Sequence, residues 1–310
     1  GLCDAVSIDD DSYPPLLRQI PEPPPLIYFR GSLSFAGSMV VCIVGSRRAS
    51  RRGRVTAGRL ASALVAGGVV VASGMARGID SMAHEGALSA GGVTVAVIGC
   101  GIDIAYPPEN AELALDIART GCLMTELPPG TAPLRYNFPR RNRILSGLSS
   151  GVVVVEDTLE SGAMGTAGWA ADHGREVFAV PGPVEHQGSR GPHRLIREGA
   201  CLVECAGDIL EVLRPGSLFD RAGLFGDDEY EAVHEERDAE VPVSEERRVR
   251  DALGVEPKHV DEIVQICHIT ATTAMSLLLG LELKGVARPC GGGRWALSRS
   301  PAGRRGRGAG

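Results

Sequence analysis

Three short runs of the chain combine glycine with serine, threonine or arginine, the residue types that bind phosphate. Glycine lets backbone N–H groups approach an anion, hydroxyl groups add donors, and arginine forms bidentate hydrogen bonds with phosphate oxygens. The residues are Gly45, Ser46, Arg47, Arg48, Gly74, Arg77, Gly78, Ser161, Gly162 and Thr166. Each run alone could be an ordinary tight turn. Because each run follows a different predicted strand, together they predict phosphate contacts at one edge of a sheet.

A second group of candidates lies in the segment NFPRRNRILSGLSS, which precedes four consecutive valines. Its members are Phe138, Arg140, Arg141, Asn142 and Arg143. The guanidinium groups are suited to phosphate oxygens, and the ring of Phe138 offers a face for base stacking. Some of these arginines could instead form structural ion pairs with Glu126, Glu156 or Asp157. Arg143 is the foremost case, because a helix could turn it inward.

The elements that must position these residues follow a regular alternation. Apolar runs that predict strands cover 39–44, 69–72, 93–98, 122–124, 152–155, 177–180 and 201–203. Helices are predicted between them, around 54–66, 80–90, 109–119, 141–149, 165–173, 192–198 and 207–213. Continuous apolar strands alternating with helices are typical of a parallel sheet covered on both faces. The predicted fold class is α/β, a Rossmann-like, doubly wound and mostly parallel sheet, followed by a small winged-helix domain.

The chain divides into five predicted regions. Residues 1–38 are proline-rich without helical period and predict an extended N-terminal lead-in, in which 26–32 could form a short strand. The Rossmann-like domain covers 39–214, and an acidic linker covers 215–243. Three helix-sized pieces and a glycine-rich β-like pair over 244–298 predict the winged-helix module. The basic, glycine-rich end, 299–310, predicts a disordered tail.

The distribution of charge matters more than its total. The chain of 310 residues has a net charge of −6, which on its own disfavours nucleic acid. Residues 220–240 contain nine Asp or Glu against two Arg, a local sum of −7 that exceeds the total. Residues 40–214 contain 17 Arg, no Lys and 17 Asp or Glu, with the arginines clustered. Local clusters of arginine indicate ligands even when the whole chain is acidic.

Composition and the motifs that the sequence lacks argue against several classes of protein. No apolar run approaches the ~20 residues of a membrane span, and the start does not resemble a signal peptide, so we expect a cytoplasmic protein without membrane contact. The eight cysteines show no CxxC pair, which predicts reduced thiols and no metal site. The first strand lacks G-x-G-x-x-G, and no P-loop is present. No cofactor is therefore expected, and a repeated phosphate backbone explains several separate runs better than one pyrophosphate.

The chain resembles the DNA-processing protein A family, also called DprA or Smf. The motifs that carry the resemblance occur in order: GSRRASRRGR, SGMARGIDSMAHEGAL, VIGCGIDIAYPPEN, TELPPGTAP, NFPRRNRILSGLS, VVVVED with SGAMGTA, REVFAVPG and SRGPHRLIREGA. They cover about residues 13–213. The sequence departs from the family in having SGAMGTA where many members read SGSLITA, and it lacks the N-terminal SAM-like domain that members usually carry.

The resemblance implies a function. Members bind single-stranded DNA without catalysis, form homodimers, and load the recombinase RecA during natural transformation. It also places NFPRRNRI in the DNA groove. The expected partners are therefore single-stranded DNA, RecA and a second copy of the chain.

Two other functions compete with this hypothesis. SGAMGTAGWAAD echoes the PGGxGTxxE loop of lysine-decarboxylase-like phosphoribohydrolases, but it lacks the initial Pro-Gly-Gly and the carboxylate that would act as acid or base. The other competing function is that of an adaptor that anchors to DNA through its winged helix. The predicted helix 270–284 is rich in leucine and has few basic residues, which favours a core or protein contact over a DNA groove. His84 stands near Asp80 and Ser81, and the absence of a metal spacing or nucleophile elbow favours a packing role.

Overall fold

We describe a computed structural model, which covers residues 3–159, 161–214, 249–250, 252–254, 256–267, 269–283 and 286–297. The chain divides into two compact units, Gly1–Phe225 and Gly226–Gly310. The predicted linker 215–243 and tail 299–310 lie outside the described residues.

The first unit is built on a nine-stranded sheet. Its strands are β1 (Asp4–Ser7), β2 (Leu26–Gly31), β3 (Val40–Val44), β4 (Val70–Ser73), β5 (Thr94–Val97), β6 (Cys122–Thr125), β7 (Gly151–Val154), β8 (Glu176–Ala179) and β9 (Cys201–Leu202). Their order is β1-β2-β6-β5-β4-β3-β7-β8-β9. All neighbours from β6 to β9 along this order pair in parallel, and only β1 with β2 and β2 with β6 are antiparallel. The predicted mostly parallel α/β sheet is confirmed.

Helices connect the strands and cover both faces of the sheet. They are α1 (Pro15–Arg18), α2 (Arg51–Ala66), α3 (Ile79–Ser89), α4 (Ala111–Thr120), α5 (Asn137–Leu148), α6 (Gly162–Asp172), α7 (Arg190–Arg197) and α8 (Ala206–Leu213). Short 3₁₀ turns occur at Ser34–Gly37, Pro108–Asn110 and Gln187–Ser189. Each predicted helix of this domain is present. The largest difference is that α5 begins at Asn137, four residues before the predicted start, so its whole arginine cluster is helical.

The alternation of side chains along β7 explains its run of valines. Val152 and Val154 pack in the apolar layer that α5 and α6 cover. Val153 and Val155 pack in the opposite layer, with residues of α2 and α3. A strand covered on both faces needs apolar residues at every position, because successive side chains point to opposite faces.

The order of the strands defines where a ligand is expected. From β3 the chain moves outward through β4, β5 and β6, and it then returns to β7 on the other side of β3. The carboxyl ends of β3 and β7 therefore flank the topological switch point. Residues 45–50 follow β3 and residues 155–161 follow β7, so two of the runs predicted to bind phosphate lie at this crevice.

The predicted lead-in over residues 1–38 is wrong, because it belongs to the sheet domain. The strand β2 is the short strand suggested for 26–32, and it pairs antiparallel with β6 and with β1. Between these strands, Tyr13, Leu17 and Ile20 are buried in the core. The Tyr13 hydroxyl donates to the carbonyl of Pro24 at 2.8 Å. Short antiparallel edge strands with proline-rich connections carry no period that sequence reasoning can detect.

The second unit contains two described helices and a small sheet. Its elements are β10 (Lys258–His259), α9 (Val260–Cys267), α10 (Ala271–Leu283), β11 (Ala287–Pro289) and β12 (Arg294–Leu297). The strands form an antiparallel sheet in the order β10-β12-β11. Ile263, Leu278 and Trp295 lie in its core. These elements agree with the module predicted for 244–298, whose first predicted helix lies mostly outside the described residues.

The described helices also bear on membrane contact. Within the ranges that the structure describes, no helix is long and apolar enough to cross a bilayer.

We expect Leu17→Ala to destabilise the protein by about 2–5 kcal/mol, because it removes a fully buried side chain and leaves a cavity. Leu17 is 0% exposed, whereas Leu26, in β2, is 37% exposed and serves as the matched control. Urea unfolding followed by circular dichroism measures both. Equal, small losses would mean that residues 1–38 are peripheral to the core.

Candidate nucleic-acid interface

The loop after β3 presents two arginines to solvent. The backbone N of Ser46 donates to the carbonyl of Glu156 at 2.6 Å, and the Ser46 hydroxyl accepts from the backbone N of Arg48 at 3.1 Å. The loop ends at Ser50, whose hydroxyl caps α2 by accepting from the backbone N of Gly53 at 3.0 Å. Arg47 and Arg48, held between these contacts, are exposed.

The loop after β4 packs directly against the loop after β3. Gly78 precedes α3 with a φ of 80°, a left-handed conformation that favours glycine. The backbone N of Ile79 donates to the carbonyl of Ser46 at 3.3 Å. Asn110 reaches the same loop, where its Nδ2 donates to the carbonyl of Met75 at 2.9 Å. The structure therefore brings two of the predicted phosphate-binding runs side by side.

An aromatic cluster lies against the first of these loops. The guanidinium carbon of Arg47 lies 5.6 Å from the centre of the Phe138 ring. The ring of Tyr106 packs on the same phenyl group, with centroids 5.5 Å apart and planes inclined by 40°. A guanidinium group over a ring is a favourable cation–π contact. Arg47, Phe138 and Tyr106 thus form one surface, which we call the arginine–aromatic surface.

Glu126 binds two arginines of α5 that have different environments. Arg143 is 5% exposed, and its Nη2 lies 2.5 Å from Oε2 of Glu126. The Arg140 Nε lies 3.4 Å from Oε1 of the same carboxylate, but the Arg140 side chain is 65% exposed. Arg143 is therefore an internal ion-pair partner, while Arg140 keeps most of its guanidinium in solvent.

Arg141 is turned into the protein. Its Nη1 donates to the carbonyl of Gly74 at 2.7 Å and also to the carbonyl of Val97. Burial lowers the pKa of the guanidinium, and the nearby Asp80 opposes that effect. These bonds join α5 to the segment that follows β4 and to the last residue of β5.

Asp80 also lies against Gly74, close to Arg141. Its Oδ2 accepts from the backbone N of Gly74 at 3.2 Å and of Ala76 at 3.3 Å. Burial raises the pKa of Asp80 to about 6, while Arg141 and the two backbone donors oppose the rise. A Cβ at Gly74 would lie 2.6 Å from Nη1 of Arg141 and 2.7 Å from Oδ2 of Asp80. Only glycine leaves space for both groups.

Several residues predicted to contact DNA make internal contacts instead. Arg141 is buried as described, contrary to the expectation that it contacts phosphates, whereas Arg143 forms the ion pair with Glu126 that the sequence left open as its alternative. Asn142 is 8% exposed, and its Nδ2 donates to the carbonyl of Gly162 at 3.1 Å. Thr166 is 1% exposed, and its hydroxyl lies 3.4 Å from the same carbonyl. The Ser161 hydroxyl donates to Asp157. These side chains therefore bond to groups of their own domain, an orientation that residue type alone does not reveal.

Other candidates remain at the surface. Arg77 is exposed over 59% of its side chain and pairs with Glu109. Tyr136 is 70% exposed, and the neighbouring Arg135 is also exposed, immediately before α5. The sequence prediction omitted Tyr106, Tyr136 and Arg135. The sequence does contain a pattern that could have identified these residues. In IAYPPEN and LRYNF, an aromatic residue lies in or beside a loop at the ligand edge.

The described residues offer little for catalysis. His84 is fully buried, and burial lowers its pKa to about 3. The Thr94 hydroxyl donates to the carbonyl of Val71 at 2.7 Å, so the contact of 2.7 Å between His84 Nδ1 and that hydroxyl needs the proton on Nδ1. The imidazole is thus a neutral packing group. Over the ranges described above, no group of three or more His, Cys, Asp or Glu side chains could hold a metal ion.

The fold and this edge define a class: an α/β protein whose switch-point edge presents arginines and aromatic rings on an open surface. The comparisons with known proteins give the family. The chain belongs to the DNA recombination-mediator protein A family, which it matches over residues 4–214. Residues 233–293 match the DprA winged helix domain, which confirms the second part of the predicted fold.

Individual relatives agree with this membership. The chain is 44% identical over 212 residues to Protein Smf of Escherichia coli, an alignment that covers 68% of this chain and 57% of that protein. It is 42% identical over 204 residues to the DNA processing protein DprA of Streptococcus pneumoniae, covering 66% and 72%. The chain therefore spans little more than half the length of the E. coli relative.

Two solved structures resemble the sheet domain. The X-ray structure of DprA from Streptococcus pneumoniae aligns with a TM-score of 0.65 at 41% identity, over 67% of this chain and 73% of that one. DNA processing protein A from Helicobacter pylori, whose structure concerns its single-stranded DNA binding mode, aligns with a TM-score of 0.61 at 26% identity. That alignment covers 68% of this chain and 95% of the other.

We expect Gly74→Ala to destabilise the protein by about 1–3 kcal/mol, because the added methyl group displaces buried charged groups. Gly168 is the matched control. It is exposed on α6, and a Cβ there would meet no atom within 4 Å. Gly168→Ala should stabilise by about 0.5–1 kcal/mol. Thermal unfolding measures both variants, and an equal response would contradict the packing described at Gly74.

Proposed function

We propose that this chain binds single-stranded DNA at the arginine–aromatic surface, without chemical turnover, as part of DNA recombination. The observation that carries the proposal is the contact of Arg47 with Phe138, which Tyr106 extends. Single-strand binding without sequence preference combines positive charge along the backbone with rings on which bases stack. Both requirements are met by neighbouring side chains at one edge of the sheet.

The roles within the surface differ by exposure. Arg47, Arg48, Arg77 and Arg140 are exposed and supply the charge that phosphates need. Phe138, Tyr106 and Tyr136 supply stacking faces. Gly45, Ser46, Gly74 and Gly78 shape the loops that carry the arginines. Gly162 extends the edge beyond β7, where the Ser161 hydroxyl is bonded to Asp157. Arg141, Asn142, Arg143 and Thr166 act as internal supports.

Two further considerations favour single-stranded DNA over other anions. The exposed groups of this surface are arginines and aromatic rings, which suit phosphates and the faces of unpaired bases. The Helicobacter pylori relative, which aligns over most of its length, is described by its single-stranded DNA binding mode. A duplex hides its base faces, so it should bind more weakly.

We expect Arg47→Ala with Arg140→Ala to weaken single-stranded DNA binding at least ten-fold. Each charge-assisted hydrogen bond contributes about 1.5–3 kcal/mol, and about 1.4 kcal/mol is one decade. The slope of log K against log salt should flatten by roughly 0.7 for each phosphate that the variant no longer neutralises. Fluorescence anisotropy with labelled oligodeoxythymidylate at several salt concentrations measures both.

The matched control removes the same charge from the opposite edge of the sheet. Arg119 lies at the end of α4, just before β6, and Arg197 lies at the end of α7, before β9. Both are exposed. Arg119→Ala with Arg197→Ala should leave DNA affinity nearly unchanged. If the control loses as much affinity as the test variant, binding follows net charge and the proposed surface is misplaced.

The competing function is that of a phosphoribohydrolase acting on nucleoside monophosphates. No described carboxylate stands at the positions that the PGGxGTxxE loop would require, and Thr166 is buried. We expect no release of free base from any nucleoside monophosphate, measured by chromatography over hours at micromolar enzyme. Release that disappears in a Gly165→Val variant would favour the hydrolase instead.

The proposal extends to the partners that the family resemblance implies. We propose that the chain works in the cytoplasm as a homodimer and loads RecA onto DNA. An open depression of about 310 Å³ between α6 and α7 is a surface that a second copy could cover. It is lined by apolar residues such as Leu159, Met164 and Leu195 and by Arg194 and Glu198. Sedimentation of the protein alone, and with RecA, measures both associations, and a monomer that ignores RecA would contradict them.

A further inference from the structure

Glu156 follows β7 at the switch point, and its carboxylate is turned inward. The residue is 6% exposed. Its Oε2 accepts from the backbone N of Ser50, the N-cap of α2, at 2.8 Å. Its Oε1 contacts Nε2 of His186. A buried negative charge therefore lies at the N-terminus of a 16-residue helix, where backbone N–H groups and the helix dipole favour an anion.

Asp157 occupies the equivalent place at the next helix. The residue is 1% exposed, and its Oδ1 accepts from the backbone N of Thr158 at 2.9 Å. Burial raises the pKa of Asp157, while hydrogen bonds from the Ser161 hydroxyl and from the backbone N–H groups of Thr158 and Ala163 oppose the rise. Ser161 and Ala163 belong to the start of α6, so this carboxylate lies at the N-terminus of α6.

These two helix starts are the places where doubly wound sheets hold phosphate. The start of α2 follows β3 and the start of α6 follows β7, on the two sides of the crevice. In such sheets a nucleotide phosphate binds at a helix N-terminus beside the switch point. In this protein the carboxylates of Glu156 and Asp157 occupy those two places. An incoming phosphate would meet two carboxylates at the positions that it would otherwise occupy.

Glu156 also holds the loop that carries two exposed arginines. Its main-chain oxygen accepts from the backbone N of Ser46 at 2.6 Å, and its side chain accepts from that of Ser50 at 2.8 Å. One residue therefore contacts both ends of the segment 46–50. Arg47 and Arg48 lie between these contacts and face solvent.

We propose that Glu156 and Asp157 are specificity-determining residues, which close the crevice to free phosphate and mononucleotides and hold the Arg47–Arg48 loop for a polyanion. The part concerning the polyanion rests on the proposed DNA-binding function. The part concerning the closed crevice does not. A mononucleotide has one phosphate and needs an enclosed cradle, whereas a DNA strand binds through many phosphates on an open surface.

The test is to vacate the helix start and offer a free anion. In the full chain, Glu156→Ala should bind inorganic phosphate with a dissociation constant of roughly 1–10 mM, while the parent binds at least about ten-fold more weakly. Isothermal titration calorimetry with phosphate, against chloride at equal ionic strength, measures this. Glu198→Ala removes an exposed carboxylate from the end of α7 and should behave as the parent does. Asp157→Ala removes the carboxylate from the N-terminus of α6, and this variant is titrated with phosphate in the same way.

A folded Glu156→Ala variant that binds phosphate no better than the parent overturns the proposal. If the variant does not fold in chloride, refolding is repeated in phosphate and followed by circular dichroism. Recovery of a cooperative thermal transition in phosphate alone supports the proposal, and failure to recover in either salt overturns it. Anisotropy of the parent with oligodeoxythymidylate is measured separately. If the parent does not bind the oligonucleotide while Glu156→Ala still gains phosphate binding, the proposed function is refuted. The inference that Glu156 closes the crevice to phosphate is then unaffected.

Discussion

The ligand edge of the sheet depends on one buried guanidinium group. Arg141 donates to the carbonyls of Gly74 and Val97, which belong to the segments after β4 and at the end of β5. It therefore fixes α5 over the carboxyl ends of two neighbouring strands. A buried cation is costly unless it is hydrogen-bonded and near opposite charge. Asp80, which also lies against Gly74, supplies that charge, and the missing side chain of the glycine leaves space for both groups.

The exposed side chains depend on this arrangement. Once α5 is fixed, Phe138 lies beside the loop after β3, where it contacts Arg47. Arg140, one residue before Arg141, points to solvent, because consecutive residues on a helix are about 100° apart. Glu126 then holds Arg143 inside and touches Arg140 at the surface. One short segment thus divides its arginines between structural support and a surface available to DNA.

Sequence reasoning predicted the strands and helices of the sheet domain because buried parallel strands are continuously apolar. It failed at residues 1–38, since β1 and β2 are short, antiparallel and joined by a proline-rich segment. For the site, it found the right segments but not the right side chains. Which arginine of Arg140, Arg141 and Arg143 faces outward depends on where α5 begins and on the acidic groups below it. Those groups are Asp80, in the first turn of α3, and Glu126, directly after β6.

The internal carboxylates show the same limitation. Glu156 and Asp157 looked like alternative partners for the arginines of α5, and the structure instead brings them to the starts of α2 and α6. A Rossmann-like crevice closed from within is consistent with the absence of the dinucleotide and P-loop motifs. With the crevice closed, the exposed arginines and aromatic rings are the groups that remain for a ligand at this edge.

Hydrogen–deuterium exchange of the full chain, with and without saturating oligodeoxythymidylate, tests whether DNA lies over the arginine–aromatic surface. If it does, backbone amides in residues 45–50, 74–78 and 134–140 exchange more slowly with DNA, and those in β1, β2 and α7 do not change. Protection confined to α6 and α7 or to residues 256–297, with none in 45–50, would contradict this placement of the DNA.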